Sequence, residues 1–122
     1  MSKLNVVDSS GWLEYFVGSE RAALFAPAIE DTENLLVPVI SIYEVFKKVR
    51  RDRGDDDALQ VTSAMKSGRV IDLDLSLALE AARYALPFAD SIIYATAIRF
   101  DAMLWTQDED FEKLTGVRYF AR

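Results

Sequence analysis

Short apolar runs alternate with helical stripes along the chain, and the order of the two predicts its architecture. "LNVV" at 4–7 reads as a first strand that stops abruptly at Asp8, and Trp12 and Phe16, four apart, mark a helix from about Gly11. "ERAALFAPAIED" is a second helical stretch, in which Pro27 predicts a kink or break. "NLLVPVI" contains a second strand ending near Pro38. After it, Ile42, Val45, Phe46 and Val49 form an i, i+3, i+4, i+7 stripe that Gly54 closes. "DDDALQVTSAMKSG" opens with the acids that helix N-termini favour and stops at Gly68. A third strand in "RVIDLDL" and a helix in "SLALEAARYAL" follow, then a helix that is apolar nearly all round in "ADSIIYATAIRF". "AMLWT" supplies a fourth strand and "VRYF" a short fifth at an edge.

Strands alternating with helices imply an α/β fold, a parallel sheet covered on both faces through right-handed crossovers. In such sheets ligands gather at the carboxyl ends of the strands, near the topological switch point. The 122 residues suffice for one core and carry no repeat or linker, so a single domain over 1–122 is expected. A hydrophobic content of 51% excludes intrinsic disorder. No uncharged apolar run reaches the ~18–20 residues of a membrane span, and the N-terminus lacks the apolar segment of a signal peptide. The absence of cysteine rules out a disulfide framework and suits a cytoplasmic location.

Missing residue types narrow the chemistry further. Without histidine or cysteine, Ser-His-Asp and Cys-His schemes, imidazole acid–base work and zinc sites built on those ligands are excluded. Twenty acidic against fourteen basic residues give a net charge of −6, which opposes long-range attraction to nucleic acid. Any nucleic-acid function must then rest on a local basic face or on metal ions.

Four carboxylates stand where this architecture places its site. Asp8 follows the first strand, Glu44 lies a few residues past the second, Asp90 opens the buried helix after Pro87, and Asp108 follows the fourth strand in "LWTQDEDF". Each also has an ordinary structural reading. Asp8 and Asp90 fit as helix N-caps, and Asp108 or Asp110 as the cap of a short helix. Glu44 fits an S-x-x-E capping box with Ser41, or a helical ion pair with Lys48. Projected into one pocket, the four would instead be oxygen ligands for a hard divalent cation. Two carboxylates about 5 Å apart repel by roughly 3 kcal/mol at an effective dielectric near 20, so several converging require a cation or shared protons.

The segments "VVDSSGWLEYF", "VPVISIYEVFKKV", "LPFADSIIYATA" and "LWTQDEDF", in this order and spacing, resemble the PIN-domain ribonucleases. The likeness is strongest to the small VapC-type toxins of bacterial and archaeal toxin–antitoxin pairs. It implies a three-layer α/β/α sandwich with a central parallel sheet of four to five strands. It also places the family's catalytic, metal-ligating acidic quartet on Asp8, Glu44, Asp90 and Asp108. The family's small hydroxyl residue falls on Thr106 in the T-x-D pattern, and the Ser or Thr after the first acid on Ser9. Asp110 is a further acid whose part the motif leaves open. Asp8, Asp90 and Asp108 are the better direct ligands. Glu44 would ligate through water or orient a ligand, with Thr106 hydrogen-bonding an acid or water behind them. The resemblance further implies a Mg²⁺- or Mn²⁺-dependent endoribonuclease acting on RNA, a homodimer, and silencing by a cognate antitoxin protein.

Other motifs carry less. "KKVRR" at 47–51 offers cations to RNA phosphates, yet cations at a helix end also complement its dipole and form a solvated face. Trp12, Tyr15 and Phe16 can stack bases or receive an antitoxin segment, but aromatics at helical spacing usually face the core. Two rival readings stand beside the nuclease. One is a non-catalytic PIN-like module that binds RNA or a partner without cleaving, against which the intact acids speak. The other is a phospho-acceptor regulatory domain, which expects paired acids near the first strand and a lysine after a late strand, neither of which is evident.

Overall fold

In a computed structural model that describes residues 3–122, the strands are short and the inner ones are buried. β1 (Asn5–Val7), β2 (Leu35–Pro38), β3 (Arg69–Ile71), β4 (Met103–Thr106) and β5 (Val117–Tyr119) form one parallel sheet in the order β3-β2-β1-β4-β5. Side chains alternate along a strand. Val6, Leu36 and Leu104 therefore face one core, and Val7, Leu35, Val37 and Trp105 the other. The second core is closed by α1 (Ser9–Val17), α2 (Ala22–Ile29), α3 (Val39–Arg53) and α4 (Asp55–Met65). The first is closed by α5 (Leu75–Ala81) and α6 (Phe88–Arg99), with Ser91 to Ala97 of α6 all buried. This is the expected three-layer α/β/α sandwich, with five strands and "VRYF" supplying the edge strand β5.

The chain runs outward from β1 to β2 to β3, then returns to lay β4 along the free flank of β1. The direction of winding reverses between β1 and β4, and there the crossovers diverge and leave a crevice above the carboxyl ends. Asp8 and Gln107 are the residues that leave those two strands.

Several local expectations give way to this frame. Pro38 ends β2 in extended conformation and α3 begins at the next residue, so Ser41 lies inside the helix rather than ahead of it. Its Oγ is buried without a partner, and the Ser41–Glu44 capping box does not form. Nor do Glu44 and Lys48 pair, because Lys48 bonds Asp52 at 2.8 Å. α1 starts at Ser9, ahead of Gly11, because Asp8 caps it. Pro27 does not break α2, which runs on to Ile29. Trp12 is a core residue, 1% exposed, with Phe16 stacked on it at 5.6 Å. In "KKVRR", Arg50 pairs with Asp55, and Lys48 and Arg51 with Asp52, all exposed, as at a solvated helix end.

α1, α2 and β1 approach most closely at Gly11, where an added Cβ would lie 2.6 Å from the Phe25 ring and 2.7 Å from Val7. Gly11→Ala is expected to lower stability by about 1–3 kcal/mol through forced repacking, seen as a lower midpoint in urea. An unchanged midpoint would mean the ring has room to yield.

Candidate metal centre

Asp8 leaves β1 with extended backbone and caps α1, its Oδ1 accepting from the Gly11 N–H at 3.0 Å. The cap does not exhaust its bonding. Oδ1 also accepts from Ser10 Oγ at 3.0 Å, and Oδ2 accepts from Thr106 Oγ1 at 2.6 Å across the β1–β4 pair. Only 3% of Asp8 is exposed. Burial pushes its carboxyl up from the usual range. The three hydrogen bonds oppose the rise, and the charge of Asp108 adds to it.

Thr106, fully buried at the end of β4, has a hydroxyl that does two jobs. It donates to Asp8 and accepts from the Asp108 N–H at 2.9 Å. Asp108 in turn caps a 3₁₀ turn, Glu109–Phe111, by accepting from the Asp110 N–H at 3.0 Å. Phe111 at the end of that turn is buried in the core under α6, which anchors the acidic loop to the sandwich.

Asp90 is not the N-cap of α6. Pro87 holds that position, and Asp90 sits in the first turn with no capping bond. Its carboxyl is pushed up to about 7, first by burial and then by the charges of Asp108, Glu44, Asp8 and Asp110. The other three acids of the quartet, and Asp110 besides, therefore act on this one group. Glu44 accepts from Ser9 Oγ at 2.5 Å, which ties α3 to the start of α1.

Asp90, Asp108 and Asp110 each offer an oxygen within 4.8 Å of the other two. Oxygens around an octahedral Mg²⁺ stand about 2.9 Å apart when adjacent and about 4.2 Å when opposite, so the three side chains would have to draw in by up to about 2 Å to share one ion. An all-carboxylate set is also the donor chemistry hard cations take. Asp110, which the sequence left open, thus joins the group from an exposed position. Asp8 and Glu44 lie outside that trio, while their charges still reach Asp90. Sequence patterning missed two members of the surroundings. Ser10 is the second of two serines after Asp8. Gln107 is the middle residue of T-x-D, 2% exposed and bonded to Glu14 and Arg21. Neither period nor spacing marks them.

A doubly wound parallel sheet with carboxylates gathered at its switch point defines a class, the α/β proteins with an acidic site at the strand ends. Within it, residues 6–117 match the family model of the PIN domain, and the chain belongs to that family. No curated protein matches it in sequence. Among solved structures it is similar to a toxin–antitoxin complex from Klebsiella pneumoniae, with TM-score 0.76 and 22% identity over 93% of this chain and 95% of that one. It is also similar to DNA-bound VapBC from Salmonella typhimurium, with TM-score 0.73 and 15% identity over 98% of each chain. A third likeness is to VapC20 of Mycobacterium tuberculosis, described as a Sarcin-Ricin loop cleaving toxin. Its TM-score is 0.73 and its identity 17%, over 93% of this chain and 96% of that one.

The crowded acids have a consequence for stability. A carboxyl whose folded pKa lies above its unfolded value binds more protons when folded, so its stabilising contribution is present at low pH and lost as pH rises through the folded value. For Asp90 the shift runs from the usual 3.8 to about 7, and Asp8 is displaced in the same direction. In chelating buffer the melting temperature should therefore fall between about pH 4 and pH 7. Asp90→Asn should flatten that slope and melt higher than the parent at the upper end. A flat profile for the parent protein in thermal melts would contradict the convergence of charges.

Proposed function

We propose that the protein is a Mg²⁺- or Mn²⁺-dependent endoribonuclease, the toxin of a toxin–antitoxin pair. The observation that carries this reading is the approach of Asp90, Asp108 and Asp110 to within 4.8 Å, with the Asp90 carboxyl raised to about 7 by burial and by its acidic neighbours. Membership of the PIN family and the likeness in fold to toxin–antitoxin proteins support it. The intact acidic set speaks against a non-catalytic module.

A bound divalent ion would supply Lewis acidity toward the phosphodiester and lower the pKa of water, the role that histidine cannot fill here. The residues around it have separable tasks. Asp90, Asp108 and Asp110 would hold the ion, and Asp90 must give up its proton to do so, so affinity should weaken below about pH 7. Asp8, through Thr106, fixes the backbone from which Asp108 projects. Glu44, held by Ser9, adds negative charge at the same rim. Beside the acids an open cleft of about 430 Å³ is bordered by Tyr119 and Arg122, an aromatic ring and a cation suited to a single nucleic-acid strand. In-line attack by water leaves a 5′-phosphate and a 3′-hydroxyl.

The partner surfaces belong to the same proposal. A groove of about 400 Å³ between α1, α3 and α4, with Leu13, Phe16, Val17 and Val61 beside the charged Lys48 and Asp57, would receive an amphipathic antitoxin segment. The exposed side chains of Tyr43, Leu75, Leu79 and Phe88 on α3, α5 and α6 would be covered in a homodimer. Among the described residues no helix is long and apolar enough to cross a membrane.

Incubation of the purified protein with a transcript pool and Mn²⁺ should yield cleaved RNA with 5′-phosphate ends, and Asp8→Asn should reduce cleavage to background. Asparagine caps a helix about as well as aspartate, so circular dichroism of that variant should be unchanged. Full activity in it would refute the role of the acid. Phe88→Glu should convert a dimer to a monomer in light scattering; a monomeric parent protein, or a variant that still dimerises, would remove that surface from the proposal.

A further inference from the structure

We propose that Gln107 is a positioning residue. Together with Glu14 and Arg21 it forms a half-buried latch that holds the Asp108 loop in the acidic site against the repulsion of its neighbours. The proposal rests on reading the site as a metal centre, and it concerns what keeps that centre assembled.

The amide of Gln107 faces a cation at one end and a carboxylate at the other. Its Oε1 accepts from Arg21 Nε at 2.5 Å, and its Nε2 donates to Glu14 Oε2 at 2.8 Å. Both bonds are charge-assisted, and the two partners fix which end of the amide is which. Each is anchored in turn. Arg21 Nη2 donates to the carbonyls of Phe120 at 3.0 Å and Ala121 at 3.3 Å, just past β5. Glu14 Oε1 accepts from Ser19 Oγ at 2.7 Å. Its carboxyl is held below the usual range, by Gln107 first and by Ser19 second. Helix α1, the turn after it and the chain beyond β5 therefore converge on one side chain lying between Thr106 and Asp108.

That position matters because Asp108 stands among like charges at the end of a strand, in a loop with only a three-residue turn behind it. Its N–H is held by Thr106, whose own hydroxyl depends on Asp8. Gln107 is a second tether, independent of the acids and 2% exposed. A neutral amide adds no charge to the rim, whereas a glutamate there would lose the donor and meet Glu14 as a like charge.

The test pairs amide hydrogen exchange with Mn²⁺ titration by calorimetry. The amides of Asp108 and Asp110, bonded to Thr106 Oγ1 and Asp108 Oδ1, report directly on the loop. In Gln107→Ala both should exchange about tenfold faster or more while β1 and α6 keep their protection. Mn²⁺ affinity should fall about 10- to 100-fold in the same variant, as for loss of a ligand's support. Glu14→Gln keeps an oxygen for Gln107 Nε2 without the charge and should stay closer to the parent, whereas Glu14→Ala should resemble Gln107→Ala. Parental exchange at the two amides in Gln107→Ala, or acceleration spread equally through β1, β4 and α6, would overturn the latch. Should that variant fail to fold, the contrast between Glu14→Gln and Glu14→Ala decides in the same way. If the parent protein binds no Mn²⁺, the proposed function falls, and exchange alone judges the latch.

Discussion

The register between β1 and β4 is the constraint on which the site depends. Pairing of Val7 with Trp105 sets Asp8 level with Thr106, and the hydroxyl of one meets the carboxylate of the other at 2.6 Å. Because strand side chains alternate, a slip of one residue would turn Thr106 to the opposite face and leave Asp8 without that donor. The register is secured from both cores at once, by Val6 and Leu104 on one face and Val7 and Trp105 on the other. A buried bond from Trp105 Nε1 to Asn5 Oδ1 at 2.9 Å joins the same two strands. Hydrophobic packing thus decides which polar groups meet at the strand ends.

What gathers there is unfavourable as electrostatics. Burial and like charge raise the carboxyls of Asp8 and Asp90 above their usual range, and a protein selected for stability alone would have no cause to assemble them. Compensation comes in layers. Thr106, Ser10 and the Gly11 N–H stabilise the charged form of Asp8, and the Asp110 N–H bonds to Asp108. Asp90 has no such bond among the described residues, and burial with like charge leaves its carboxyl near 7. Under the proposed function, an ion held there would displace the Asp90 proton, and site assembly and proton release would be one equilibrium.

Much of the frame was readable along the chain. The five apolar runs became five strands, the stripe Ile42, Val45, Phe46 and Val49 became the inner face of α3, and the uniformly apolar stretch after Pro87 became the most buried helix. These readings succeeded because burial leaves a periodic trace in one dimension. Capping was less legible. Asp8 does cap its helix and belongs to the acidic site as well, so the two readings of that residue were never exclusive. The S-x-x-E pattern at Ser41 misled because α3 begins directly after Pro38, a choice made by where β2 must end in the sheet.

The sequence by itself determined the alternation of strands and helices, a sheet covered on both faces, and the acidic side chains available at strand ends, since hydrophobic period and residue chemistry are properties of neighbours in the chain. Only the tertiary structure decided that β4 lies beside β1, that Asp110 rather than Asp8 completes the closest group of oxygens, and that Gln107 bridges Glu14 and Arg21. Those are meetings of residues as far apart as Arg21 and Gln107. Strand order and register bring them together, and neither quantity has a local signature in the chain.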